Sequence, residues 1–126
     1  MMHPISALLC EVYDRLYAAG QVRFPLYEKQ RAALDTIVKT VNARYFGVVR
    51  FPDPKRQAVA YFCYIIKNHP VTDGNKRLAV LWFEVYCEAQ GLHPKQDVPL
   101  DLLAIAVEKS AGPTDEILGD AFRILF

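Results

Sequence analysis

A histidine, an aspartate, a glycine, an asparagine and two cations fall within nine residues of this chain, in the stretch HPVTDGNKR from His69 to Arg77. Each of these residue types has a use in phosphate chemistry. An imidazole titrates near neutral pH, so His69 is a candidate general base. Mg2+ is usually held by one or two carboxylates together with nucleotide phosphates, which makes Asp73 a candidate metal ligand. Gly74 lets the backbone approach a ligand with no Cβ in the way. Asn75 adds side-chain donors, Lys76 adds charge, and Arg77 has the fork geometry to hold two phosphate oxygens at once. As a set they point to phosphoryl or nucleotidyl transfer to a hydroxyl. His69 would accept the hydroxyl proton, and Arg77 with backbone N–H groups would stabilise charge on the transferred group.

The chemistry needs these residues held at the junction of two helices. Pro54 to Asn68 carries Val59, Phe62, Cys63, Ile65 and Ile66 at helical spacing, and Pro54 suits a first turn. Pro70 disfavours helical geometry at His69, so the helix is expected to stop there. Asp73-Gly74 is a turn signal. From Asn75 to Gln90 the residues are apolar on nearly every side, which predicts a buried central helix, ended by Gly91. The loop therefore places an imidazole near a helix N-terminus, whose free N–H groups and positive partial charge attract anions. Blander roles exist for each residue alone. A histidine before proline often serves only at a helix C-terminus, Asp73 is a suitable helix cap, and Lys76 and Arg77 read as solvated charges. Two cations at a helix N-terminus oppose the dipole, however, which favours an anion partner.

The remaining chain also reads as helix: Ile5 to Ala19, Tyr27 to Arg44, Val98 to Ser110 and Thr114 to Leu125. Two stretches resist that reading, Gly20 to Leu26 and Tyr45 to Pro52, where β-branched residues, aromatics, Gly and Pro mix. Either reads as a strand, a small flap or an irregular connection. The prediction is an all-α domain over residues 1–126, a bundle of about six helices around one buried helix, with a small β flap and the motif-bearing core at about 53–91. A length of 126 residues, 52% of them hydrophobic, suffices for one core. The net charge of +1 argues against a general nucleic-acid binder. The longest apolar run, Leu78 to Phe83, is too short for a membrane span, and Met1 to Cys10 has no basic leader. Cys10, Cys63 and Cys87 are odd in number and lack CxxC spacing, as expected of buried free thiols in a reducing, cytoplasmic setting.

The motif resembles the signature of the Fic/Doc superfamily, roughly HPFx(D/E)GN(G/K)R, and the flanking YFCYIIKN and apolar helix are similar to it as well. The likeness is strong from Asp53 to Gly91 and diffuse elsewhere. It implies an all-helical enzyme that uses ATP and Mg2+ to modify a protein hydroxyl. His69 would be the base, Asp73 the metal ligand, Gly74 and Asn75 the anion-binding turn, and Arg77 the phosphate contact. It also implies a β-hairpin flap that aligns an extended target segment by strand addition. Lys76 stands where adenylyl-transferring members have Gly, and is similar to the Doc branch, toxins that phosphorylate a translation elongation factor. Val80 replaces a second Arg found in many members, and Val71 replaces a Phe. The resemblance therefore favours Doc-like phosphotransfer, with adenylyl transfer and a degenerate binding module as alternatives. Internally restrained members carry a helix of the pattern (S/T)xxxE(G/N), which does not occur here. A separate antitoxin, or an inhibitor in a longer protein, is the implied restraint.

Overall fold

The computed structural model describes residues 2–126. They form helices α1 (Pro4–Ala18) and α2 (Glu28–Val41), a hairpin of β1 (Arg44–Tyr45) and β2 (Val48–Val49), then α3 (Pro54–Asn68), α4 (Asn75–Gln90), α5 (Leu100–Lys109) and α6 (Thr114–Leu125). The helical bundle and its six-helix order agree with the sequence reading. Local chemistry explains the starts. Pro54 occupies the first turn of α3, where the Asp53 carboxylate accepts the Arg56 N–H at 2.8 Å. Helix α4 ends on Gly91, which takes the left-handed conformation expected of a C-terminal glycine.

Two boundaries differ by two residues or more. The sequence extends α2 to Arg44, but the helix ends at Val41. The Asn42 amide bonds back to Val38 O at 2.8 Å and to the Tyr61 hydroxyl at 2.9 Å, which caps the chain and frees Arg44 for β1. Helix α5 starts at Leu100 and not at Val98, because Pro99 occupies the cap position in extended geometry.

Helices α3 and α4 lie side by side at the centre. Their seam is aromatic, with Phe62 against Phe83 at 5.7 Å and Tyr61 against Trp82 at 5.7 Å, both edge to face. Helix α3 also packs on α2, α5 and α6, and α4 on α1 and α5. The sequence names α4 as the buried helix. It shares that place with α3, in which Ala58 to Ile66 are buried without a break. The hairpin answers which ambiguous stretch forms strands. Residues 44–49 do, through a two-residue turn in which Phe46 and Gly47 both have positive φ, as a tight hairpin turn requires. Arg50 anchors its base through an ion pair to Asp115 at 2.8 Å, and Asp115 also accepts from the Tyr64 hydroxyl at 2.9 Å. All three cysteines are buried and free. Among the described residues no helix is long and apolar enough to cross a membrane.

Candidate active site

The loop from His69 to Gly74 joins the two central helices, so its ends are fixed by the largest packed seam in the molecule. Asn75, the first residue of α4, clasps it. Its Oδ1 accepts the Val71 N–H at 3.0 Å, and its Nδ2 donates to Val71 O at 2.8 Å and to His69 Nδ1 at 3.0 Å. The sequence offers the Asn75 side chain as an anion donor. In the structure the amide is buried and bonded to the loop, and its backbone N–H lies at the helix end. Val71 itself is buried in the core.

These bonds decide the state of His69. The two bonds to Val71 fix which end of the Asn75 amide is nitrogen, so the amide donates to Nδ1. A neutral ring then carries its proton on Nε2. That nitrogen faces Glu108 Oε2 at 3.9 Å, and the same carboxylate oxygen pairs with Lys76 Nζ at 2.9 Å. The Lys76 ammonium, with His69 and Lys109 nearby, holds the Glu108 carboxyl below the usual carboxylate range. The last turn of α3 secures this end of α5, since Lys67 Nζ donates to Ser110 O at 2.7 Å and to Glu108 O at 3.4 Å. Glu108 escapes a sequence reading because nothing in the EKS stretch marks it, and only the packing of α5 brings it to the loop.

His69 also departs from the extended geometry expected before proline. Its φ of 48° and ψ of 57° lie in the left-handed region. A side chain with a Cβ is strained there by about 1–2 kcal/mol. The Asn75 amide and the buried Val71 hold the turn against that strain.

Gly74, with φ of 88°, caps α4, and no side chain caps it. Leu78 N–H bonds to Gly74 O at 2.8 Å, which leaves the N–H groups of Asn75, Lys76 and Arg77 as the free donors of the helix end. The expectation that Asp73 caps the helix is not met. Its Oδ2 accepts the Arg23 backbone N–H at 3.0 Å, with Arg23 Nε at 3.6 Å. Asp73 remains half-buried at the groove with Oδ1 unengaged among the described residues, a hard oxygen donor suited to Mg2+ shared with phosphate. No group of three His, Cys, Asp or Glu side chains comes together among the described residues.

The connection between α1 and α2, the other ambiguous stretch, lies across this helix end. Arg77 bonds to Gln21, Arg23 bonds to Asp73, and a Cβ on Gly74 would run into Val22 Cγ1. The buried Tyr13 hydroxyl ties the strap down, donating to Phe24 O at 2.7 Å and lying 3.3 Å from Asp73 O. Gly74→Ala is expected to lower stability by roughly 1–3 kcal/mol, from left-handed strain and the Val22 collision. In a Val22→Ala background the loss should fall to the strain alone, and urea unfolding of the four proteins measures the difference. Strictly additive losses would show that Val22 does not cover Gly74.

A groove of about 630 Å³ runs from the helix end between α4 and α5. Asp73, Gly74, Lys76 and Arg77 line one end, Leu16, Val80, Leu81, Ala104 and Ile105 the middle, and Glu84 and Asp101 the other end. Compared with known proteins, the chain matches a family model described as the Fic/DOC family over residues 5–87. No curated protein and no solved structure matches it.

Proposed function

The chain belongs to the Fic/DOC family, whose members are typically nucleotide-using transferases that modify proteins, and from that premise we propose that it moves the γ-phosphoryl group of ATP to a protein hydroxyl. The polarity of the groove carries this reading. Its basic end lies beside His69 through Asn75, and its acidic end holds the two carboxylates Glu84 and Asp101. A polyphosphate is repelled by the acidic end and attracted by the free N–H groups, Lys76 and Arg77. A nucleoside, with an apolar face and donor groups at its edge, suits the other end. The helical rise puts Glu84 about 10 Å along α4 from Arg77, so one nucleotide spans the groove. Laid this way, the base is far from His69 and the terminal phosphate is near it. Val80 adds an apolar wall and no positive charge to draw phosphate deeper.

In the reaction, the target oxygen bonds to the γ-phosphorus, the bond from that phosphorus to ADP breaks, and ADP leaves with the electron pair. His69 takes the hydroxyl proton. The α4 N-terminus, Lys76 and Arg77 hold the phosphate oxygens. Asp73 would hold Mg2+ together with the phosphates, and the ion would supply charge neutralisation there. The hairpin at Arg44–Val49 is the segment on which an extended target strand would pair. Its tip is open, with Tyr45, Phe46 and Val48 exposed. The three buried thiols fit work in the cytoplasm.

Incubation with bacterial lysate, Mg2+ and ATP labelled at the α or the γ phosphate tests the reading. Label passing to protein from the γ position alone is the expected result. Label from the α position would mean that the nucleotide lies the other way round in the groove and that the reaction is adenylyl transfer.

A further inference from the structure

We propose that Arg23, on the strap between α1 and α2, is a further phosphate-binding residue of this site and grips the terminal phosphate of the nucleotide. The choice of phosphate rests on the phosphotransfer reading, and the availability of the side chain rests on geometry. Lys76, Arg77 and Arg23 stand around the α4 N-terminus, and their partners differ. Lys76 Nζ lies 2.9 Å from Glu108 Oε2. Arg77 bonds to the uncharged Gln21 side chain. Arg23 Nε lies 3.6 Å from Asp73 Oδ2, beyond hydrogen-bond distance, and its side chain is 80% exposed against 41% for Lys76. A loose and exposed pair holds its side chain weakly. Arg23 is therefore more easily turned to a ligand than Lys76.

Charge gives this cation its importance. Lys76 and Arg77 are offset by Glu108 and Asp73, so without Arg23 the site offers a polyphosphate little beyond the partial charge of the helix end. A guanidinium turned to the ligand adds a full charge and a fork that holds two phosphate oxygens. Asp73, serving the metal ion, no longer needs it. The strap keeps the side chain within reach. The Tyr13 hydroxyl pins Phe24 O at 2.7 Å, and the buried Val22 packs over Gly74. The Phe24 ring, 5.7 Å from the guanidinium, is a face on which it rests. The Arg23 backbone N–H donates to Asp73 Oδ2 at 3.0 Å, so Asp73 stays anchored when the side chain leaves. Asp73 follows His69 in the same loop and lines the basic end of the groove. A side chain beside it meets the last phosphate and not the nucleoside, in the orientation given above.

Arg23→Ala removes the guanidinium and keeps that backbone bond. Calorimetric titration of the full chain reads the outcome. Affinity for Mg·ATP should fall about tenfold, and affinity for Mg·ADP should change by less than about twofold. Arg23→Lys keeps the charge without the fork and should fall between the alanine variant and the wild type. Transfer of γ label at saturating Mg·ATP should fall roughly 10- to 100-fold in Arg23→Ala, because the charge it grips is on the transferred group. The urea midpoint should not move, since the side chain is exposed. A merely structural role for Arg23 would shift ATP and ADP alike.

Unchanged affinity for both nucleotides would overturn the proposal. So would tighter binding by Arg23→Ala, which would make Arg23 a cation that masks Asp73. Equal losses for ATP and ADP would remove Arg23 from the terminal phosphate. Label transfer by the wild type judges the phosphotransfer reading separately. Label from the α position, or none, would sink that reading, and a loss confined to ATP would still place Arg23 at the terminal phosphate.

Discussion

His69→Ala is expected to lower γ-label transfer by about 10²- to 10⁴-fold, the range over which a positioned general base acts. The fold should survive the change. The His69 side chain is 61% exposed, so its removal takes little packing away. The Asn75 amide keeps both bonds to Val71, and those bonds shape the loop. Alanine also has a Cβ, so the left-handed turn is no more strained than before. The same labelled-ATP assay reads the outcome, with far-ultraviolet circular dichroism to show that the helices are intact. A folded variant that transfers label at the wild-type rate would remove His69 from the chemistry.

The second large effect lies in the central seam. Phe83→Ala should destabilise the protein by about 3–5 kcal/mol, through lost burial and the cavity left behind. Phe83 is fully buried, meets Phe62 edge to face at 5.7 Å and lies 6.4 Å from Phe126. Small domains have only about 5–15 kcal/mol in total, so one side chain would remove a large share. Urea unfolding checks this, with a lower midpoint and an unchanged slope as the expected signature. A loss below about 1 kcal/mol would mean that the α3–α4 seam is not packed as described. The two variants separate chemistry from architecture, because the first loses activity while its stability holds and the second loses stability while the motif loop keeps its residues.

The helices were legible because their apolar residues repeat at 3.6-residue spacing and their ends carry Pro and Gly signals. Pro54 and Gly91 act as their types predict. The motif loop was legible for a different reason, since its polar residues are contiguous and lie between two such helices. What stayed hidden depends on contacts distant in sequence. Glu108 has no local mark and reaches Lys76 only through the packing of α5. The strap at Gln21 to Arg23 mixes signals for strand and loop, and its course is set by Tyr13, Asp73 and Arg77. The stop of α2 was missed because a side-chain amide, Asn42, ends it without glycine or proline. Asn75 shows a subtler limit. Its type suggested a donor to phosphate, and the same donor atoms satisfy the loop backbone.

The left-handed turn at His69 also bears on how such a protein changes over generations. The backbone there favours glycine, and an imidazole occupies it at a local disadvantage of about 1–2 kcal/mol. A lineage kept only for its stability would lose the histidine and gain a sturdier, silent protein. A lineage that retains the histidine is therefore under selection for what that side chain does. The residue at this one position, seen across descendants, would distinguish copies still in service from copies that persist only as folded relics.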